Sequence, residues 1–347
     1  MGWRWSLLIA ISVLNDCSKK PFNWSTKLVN QIYVYLLHYQ IFNIKQLKLL
    51  KNTALRSFIH FQCVKWGVFY CFAFSISSIS GQTLNKIGID NTYPWCIVAY
   101  DSLKRSPEER IDMIKNLGFE KYAYDWRNEH LDDTFTELEL AARNNIEIIG
   151  VWLWLNAKRD SLQHLSADNE HLLQIIKQLD LKTTFWVGFN GNFFEGLDQE
   201  QSVKKATDLV GFIAEKVTAM DCKIALYNHS GWFGNPLNQL EVIQKLPEFN
   251  IGIIYNFHHA HGAINDFNNV ANSIVPYLKA VNLNGMEVDG KKILPIGHGK
   301  HEKEMIRTLQ KSGFKGPWGI LGHVASRDAK EVLEENLNGL KVLLAPE

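Results

Sequence analysis

From residue 95 onward, apolar residues gather into eight short strand-like runs, separated by segments whose apolar positions keep helical spacing. The runs begin near Trp95 (WCIVAY), Glu120 (EKYAYD), Ile146 (IEIIGVWLWL), Thr183 (TTFWVGF), Lys223 (KIALYNH), Ile251 (IGIIYNF), Ala280 (AVNLNG) and Pro317 (PWGILGH). Helix signals lie between them. Ser106-Pro107-Glu108-Glu109 supplies an N-cap, a proline at the first helical position and acids in the first turn, and Gly118 stops that helix. Two further helical segments run from Glu200 to Met220 and from Asp328 to Leu340, each with its apolar residues on one face. Eight alternating units predict an α/β fold, a single (β/α)8 TIM barrel over 82–347, preceded by a non-barrel N-terminal extension. A doubly wound open sheet is the alternative, but no Gly-x-Gly-x-x-Gly follows any strand, so its nucleotide-binding form has no support.

The extension reads differently. Residues 1–63 hold neither helical nor alternating periodicity and are nearly free of acids. Residues 64–81 carry Lys65, a short apolar run, and the small residues Ser78 and Ser80, which is the layout of a secretory signal peptide. That layout predicts a secreted or periplasmic protein, with residues 1–63 translated from a start placed too far upstream. Met1–Leu14 is a competing signal. A third reading makes residues 66–80 a buried or membrane-surface helix, and the protein is then cytoplasmic. The run is too short for a stable membrane span.

Charge and cysteine content narrow the function classes. Residues 1–89 carry ten basic residues and one acid, whereas residues 90–347 carry 27 basic and 35 acidic residues, a net charge of −8. An acidic barrel lacks the basic face that nucleic-acid binding needs. The five cysteines show no CxxC spacing, so neither a disulfide framework nor a zinc–thiolate site is expected. Export would require Cys96 and Cys222 to be buried.

The candidate chemistry sits at strand ends. Ile224–Trp232 ends in Asn228-His229, and Ile251–Gly262 contains Asn256-Phe257-His258-His259-Ala260-His261. Four imidazoles at the C-terminal ends of neighbouring strands mark an active-site position in a parallel barrel. Asp125, at the end of strand two, is a candidate base or hydroxyl ligand, or else a partner of Arg127. Trp154 and Trp186 are candidates for stacking on a sugar ring, with Trp152 a weaker one. Glu195 is an outlying candidate base. Gly297, Gly299 and Lys300 form a loop resembling an anion-binding turn.

The "YAYDWR", "ALYNHSGW" and "NFHHAH" segments and the strand order resemble the xylose isomerase-like TIM barrels, over roughly residues 90–342. That superfamily includes sugar phosphate isomerases and epimerases and type-2 apurinic endonucleases. The resemblance implies a divalent metal held by a Glu ending strand five, an Asp-x-x-His after strand six, a His after strand seven and a Glu ending strand eight. Here those positions fall on Tyr227, on Asn256 to His259, on Asn282, and on a strand eight that ends Gly322-His323. With the carboxylates gone, hard cations lose their preferred oxygens. The remaining imidazoles and amides are His229, His258, His259, His261, His323 and His298, with Asn228, Asn256, Asn282 and Asn284. The first five histidines are candidate ligands for a transition metal such as Zn, Mn, Fe or Ni. The asparagines and Lys300 are candidate substrate contacts, and a metal-free pocket is an equal alternative.

The resemblance implies an isomerase- or epimerase-like enzyme acting on a small-molecule carbohydrate, and their places at adjacent strand ends make His229 and His259 the best-placed acid–base pair. The alternatives are a degenerate barrel that binds carbohydrate without catalysis, and a lyase or hydrolase acting on extracellular carbohydrate. The apurinic endonuclease reading lacks both its carboxylate cluster and its basic face.

Overall fold

The computed structural model describes residues 87–345. The readings of residues 1–63 and 64–81 therefore lie outside the described residues. The barrel strands are β1 Thr92–Trp95, β2 Lys121–Tyr124, β3 Glu147–Leu155, β4 Thr184–Phe189, β5 Lys223–Tyr227, β6 Gly252–Asn256, β7 Leu278–Leu283 and β8 Trp318–Leu321. The helices are α1 Pro107–Asn116, α2 Thr134–Arg143, α3 Ala167–Gln178, α4 Gln199–Thr218, α5 Pro236–Gln244, α6 Phe267–Ile274, α7 Glu302–Lys311 and α8 Ala329–Leu343. One helix follows each strand, and all strand pairs are parallel, in the order β1-β8-β7-β6-β5-β4-β3-β2. The helix signals act as read. Ser106 accepts from the Glu109 amide in a capping box with Pro107 opening α1, and Asp198 caps α4 in the same way.

Strand one departs from expectation. The run WCIVAY ends the strand instead of forming it, because Cys96 takes φ 57°, in the left-handed region. Beyond it the amides of Ile97 and Val98 turn toward Asp125 Oδ1, at 3.0 and 3.1 Å. Among the described residues no ladder pair joins β1 to β2. The buried Asp125 carboxylate thus bridges the one seam of the barrel that backbone hydrogen bonds leave open.

Bulky aromatics fill the barrel interior in place of branched aliphatics. Trp95 packs against Trp186, Tyr227 and Trp152 at ring separations of 4.8, 5.7 and 5.9 Å. Each such ring carries a large apolar area into the core. Glycines make the room: a Cβ at Gly150 would collide with Trp186, and one at Gly319 would collide with Asn282 and Tyr93. Polar edges inside the barrel pair with one another, leaving Asn282 Nδ2 without a partner among the described residues. Trp95 Nε1 donates to the Tyr227 hydroxyl at 3.0 Å, Asn256 Nδ2 donates to the same oxygen, and the Tyr93 hydroxyl donates to Asn282 Oδ1 at 2.6 Å.

Outside the barrel, between α1 and α2, Arg110 and Glu137 form a buried ion pair. Tyr122 donates to Glu137 Oε1 at 2.7 Å and Arg110 Nη2 donates to the Arg105 carbonyl at 2.6 Å. Cys96 and Cys222 are both buried and free. Among the described residues no helix is long and apolar enough to cross a membrane.

Candidate active site at the barrel mouth

Four imidazoles meet at the C-terminal end of the barrel, delivered by β5, β6 and β8. β6 runs directly into a 3-10 turn, Phe257–His259, which Asn256 caps by accepting the His258 amide at 3.0 Å. That turn lets two consecutive histidines reach the mouth. The rings of His229 and His259 lie 4.3 Å apart, His259 and His258 4.5 Å, and His258 and His323 4.8 Å. Trp154 packs at 4.7 Å from His229 and lies stacked on Trp152 at 5.4 Å. Tyr227 and Trp152 close the floor, at 4.7 Å from each other.

Hydrogen-bond partners separate the working imidazoles from the structural ones. A carbonyl can only accept, so the His258 Nδ1 that lies 2.9 Å from the Lys292 carbonyl carries the proton, leaving Nε2 as a bare acceptor. His261 Nδ1 likewise donates to the Glu287 carbonyl at 2.9 Å, and its Nε2 faces Asn284 Nδ2 at 3.4 Å. His261 is therefore saturated, an anchor for the loop after β7. His229 Nδ1 meets Ser230 Oγ at 3.0 Å, and its other nitrogen has no hydrogen-bond partner among the described residues. Among the described residues His259 has no protein partner at either nitrogen, and His323 Nδ1 is buried without one.

Burial comes first among the causes that hold these rings neutral, followed by the neighbouring imidazoles and the cations Arg127 and Lys292. Together they push His229 and His323 down to about 4, His259 lower still, and His258 down as well. The unfolded imidazoles take up protons near 6.5, while the folded ones resist until near 4, so stability should fall as pH drops from 6.5 toward 4. Thermal unfolding followed from pH 7 to 4 should show this loss, and His229→Ala or His259→Ala should flatten it. An identical slope in both variants would contradict the shifts.

Several sequence-derived candidates have other work. Asp125 is fully buried, with Oδ1 spent on the seam amides, and burial raises its pKa. It braces the seam through Oδ1, while Oδ2 is buried with no hydrogen-bond partner among the described residues. Asn228 pairs through both side-chain ends with the Asn256 backbone, at 2.6 and 3.2 Å, and extends the β5–β6 ladder. Asn256 spends its amide on Tyr227 and His258, and Asn282 lies fully buried against Tyr93. Asn284 donates to the Gly285 and Lys292 carbonyls at 2.9 and 3.1 Å. All four asparagines are buried, and Asn282 Nδ2 and Asn284 Oδ1 have no hydrogen-bond partner among the described residues. Trp186 belongs to the interior plug with 1% exposure, leaving no ring face for stacking, whereas Trp154 is half-buried at the mouth. The glycine turn does bind an anion, but the anion is internal: Gly297 and Gly299 amides donate to Glu302 Oε1 at 3.0 and 2.9 Å. Lys300 is exposed and pairs with Glu287, and Glu195 is exposed too.

Two further residues, Tyr100 and Arg127, stand beside the imidazoles at the mouth. Tyr100 packs edge-on to His323 at 3.8 Å, and the Arg127 guanidinium carbon lies 5.6 Å from the Tyr100 ring centre. Arg127 reads from sequence only as a partner for Asp125. Its spacing of two residues from Asp125 along a strand end is the one signal that puts both on the barrel side.

The donor set does not fit the divalent-metal site that the resemblance implies. At the strand-five and strand-six carboxylate positions stand Tyr227, whose hydroxyl is taken by Trp95 and Asn256, and Asn256, whose oxygen accepts from the His258 amide; at the strand-seven histidine position stands Asn282, whose oxygen accepts from Tyr93. Among the described residues no group of three His, Cys, Asp or Glu side chains has a metal-holding arrangement. His261, one of the candidate ligands, has both nitrogens engaged.

Comparison with known proteins places this architecture. No curated protein matches the chain. Among solved structures, a xylose isomerase domain-containing protein from Salmonella typhimurium LT2 superimposes with a TM-score of 0.56 at 14% identity, covering 75% of this chain and 100% of that one. The IolI protein with a bound zinc atom gives 0.56 at 13% identity, covering 73% and 97%. The 3-keto-D-glucoside 4-epimerase of E. coli gives 0.56 at 12% identity, covering 73% and 99%. At such identities these structures show the fold alone. The family model described as the xylose isomerase-like TIM barrel matches residues 111–343, and the chain belongs to that family.

Proposed function

We propose that the chain is a carbohydrate-modifying enzyme of the isomerase or epimerase kind, in which His259 and His229 exchange a proton with a sugar lying over Trp154. The observation that carries this reading is the pair of imidazoles 4.3 Å apart at the barrel mouth, with His259 free of any hydrogen-bond partner among the described residues. Such chemistry removes a proton from a carbon beside a carbonyl and returns it to the same or the neighbouring carbon. The base must be neutral to accept the proton, and burial keeps both rings so. Trp154 supplies a flat apolar face beside His229, suited to the C–H face of a sugar ring. His258, its Nδ1 fixed on the Lys292 carbonyl, turns Nε2 toward the cluster as an acceptor for a hydroxyl. The epimerases among the structural neighbours support the substrate class by analogy of fold.

A second reading, a sugar-binding barrel without catalysis, is favoured by the replacement of two carboxylate positions by Tyr227 and Asn256 and of the strand-seven histidine position by Asn282. A panel of aldoses and ketoses incubated with the protein and followed by NMR separates the two. The enzyme reading expects an isomerised or epimerised product, and binding without product in every case would favour the second. Export is proposed from residues 64–81 alone.

A further inference from the structure

We propose that Asn284 and His323 are specificity-determining contacts, which read hydroxyl groups of the sugar from the β6–β8 side of the mouth. The inference rests on the reading of the mouth as a sugar site and deepens it.

The mouth has two chemically different sides. From β3 and β5 come aromatic rings: Trp154 packs on His229 at 4.7 Å and on Trp152 at 5.4 Å, and the Tyr227 hydroxyl is already engaged by Trp95 and Asn256. From β6, β7 and β8 come polar atoms with nothing to bond. A line of imidazoles joins the two sides, His229 to His259 at 4.3 Å, His259 to His258 at 4.5 Å and His258 to His323 at 4.8 Å.

Asn284 follows β7 and is 1% exposed. Its Nδ2 donates to the Gly285 and Lys292 carbonyls at 2.9 and 3.1 Å, which fixes which end of the amide is which. Oδ1 is therefore a pure acceptor, buried and without a hydrogen-bond partner among the described residues. The Lys292 oxygen that holds this amide also accepts from His258 Nδ1 at 2.9 Å, so the amide stands beside the imidazole. His323 follows β8. Its Nδ1 is buried and unbonded, and its ring is wedged between Tyr100 at 3.8 Å and His258 at 4.8 Å.

A buried polar atom left unbonded is costly, and two of them flank His258, whose Nε2 is a bare acceptor as well. Sugar hydroxyls supply the donors that these atoms lack. A ring laid with its C–H face on Trp154 and its hydroxyl edge toward β6–β8 crosses His229 and His259 on the way. The same pose therefore presents the exchangeable C–H to the proposed acid–base pair and the neighbouring hydroxyls to Asn284 and His323. Because Asn284 can only accept, the hydroxyl facing it must donate, and a group that only accepts cannot replace it.

The test is calorimetric titration of the full chain with D-glucose, D-galactose and D-fructose, followed by the monodeoxy and deoxyfluoro forms of the tightest binder. At least one deoxy form should bind about tenfold or more weakly than its parent, since the site is then left with an unpaired buried group. The fluoro form at that position should lose as much, because fluorine cannot donate. Asn284→Leu and His323→Phe should each weaken the parent about tenfold and leave one deoxy form unchanged, the hydroxyl being the thing they no longer read. Should Asn284→Leu fail to fold, His323→Phe decides, since it keeps a ring against Tyr100. Losses that fall equally on the parent and every deoxy form would mark a merely structural role and overturn the proposal. So would parent affinity unchanged in both variants, full rescue by fluorine at every position, or absence of binding by all three parents. Hydroxyl-dependent binding of this kind without any conversion of sugar would uphold the inference and remove the enzyme reading. Conversion of a sugar that both variants bind as tightly as the wild type would do the reverse.

Discussion

Replacing His259 by alanine is expected to lower turnover of the sugar substrate about 10²–10⁴-fold, the usual contribution of a positioned acid–base group. His229→Ala should fall in the same range, because the two rings lie 4.3 Å apart and share one proton route. Neither ring carries a buried hydrogen bond that braces the barrel, since His259 has no partner among the described residues and His229 meets only the exposed Ser230 hydroxyl. Folding should therefore survive, and the loss should fall mainly in kcat. His261→Ala makes the contrasting control. It removes the anchor on the Glu287 carbonyl, so it should loosen the loop after β7 and raise KM more than it lowers kcat. Steady-state kinetics on the three variants check the pattern. Near-full kcat in both His229→Ala and His259→Ala would remove the proposed pair from the chemistry.

The second large effect concerns stability. Glu137→Ala should destabilise the protein by about 3–5 kcal/mol, because it leaves the Arg110 guanidinium buried and uncompensated and strands the Tyr122 hydroxyl. For a domain of this size that corresponds to a fall in Tm of roughly 10 °C or more. Replacing both partners with apolar residues, Arg110→Met with Glu137→Leu, should cost much less than Glu137→Ala alone, since no orphaned charge remains. Thermal unfolding measures both. A single variant as stable as the wild type would show that solvent reaches the pair.

The barrel is legible in the sequence because its signal is periodic. Eight apolar runs alternate with capped helices, and the Ser106 and Asp198 caps lie where local rules put them. Strand one is displaced because a run of apolar residues cannot reveal that Cys96 adopts a positive φ, or that a carboxylate 28 residues away claims the Ile97 amide. The histidine cluster is legible for a related reason: three of its four rings come from strand ends where they stand in conspicuous short motifs. What cannot be read is the division of labour. An asparagine that completes a ladder, as Asn228 does, looks in sequence like one that binds a hydroxyl. His261 differs from His259 only through carbonyls of a loop some 26 residues away. Glycine turns advertise an anion, yet Glu302 had already supplied it. Tyr100 and His323 come from opposite ends of the barrel sequence, and only the closed barrel brings their rings to 3.8 Å.

The most direct test of the account is isotope exchange in deuterated water, with the sugar that the protein turns over or binds best. Wild-type protein should place deuterium on the carbon beside the carbonyl, and the His229→Ala/His259→Ala double variant should not, although it still binds the sugar. Exchange by the double variant at the wild-type rate, or the absence of exchange by a wild type that converts the sugar, would contradict proton transfer by this pair.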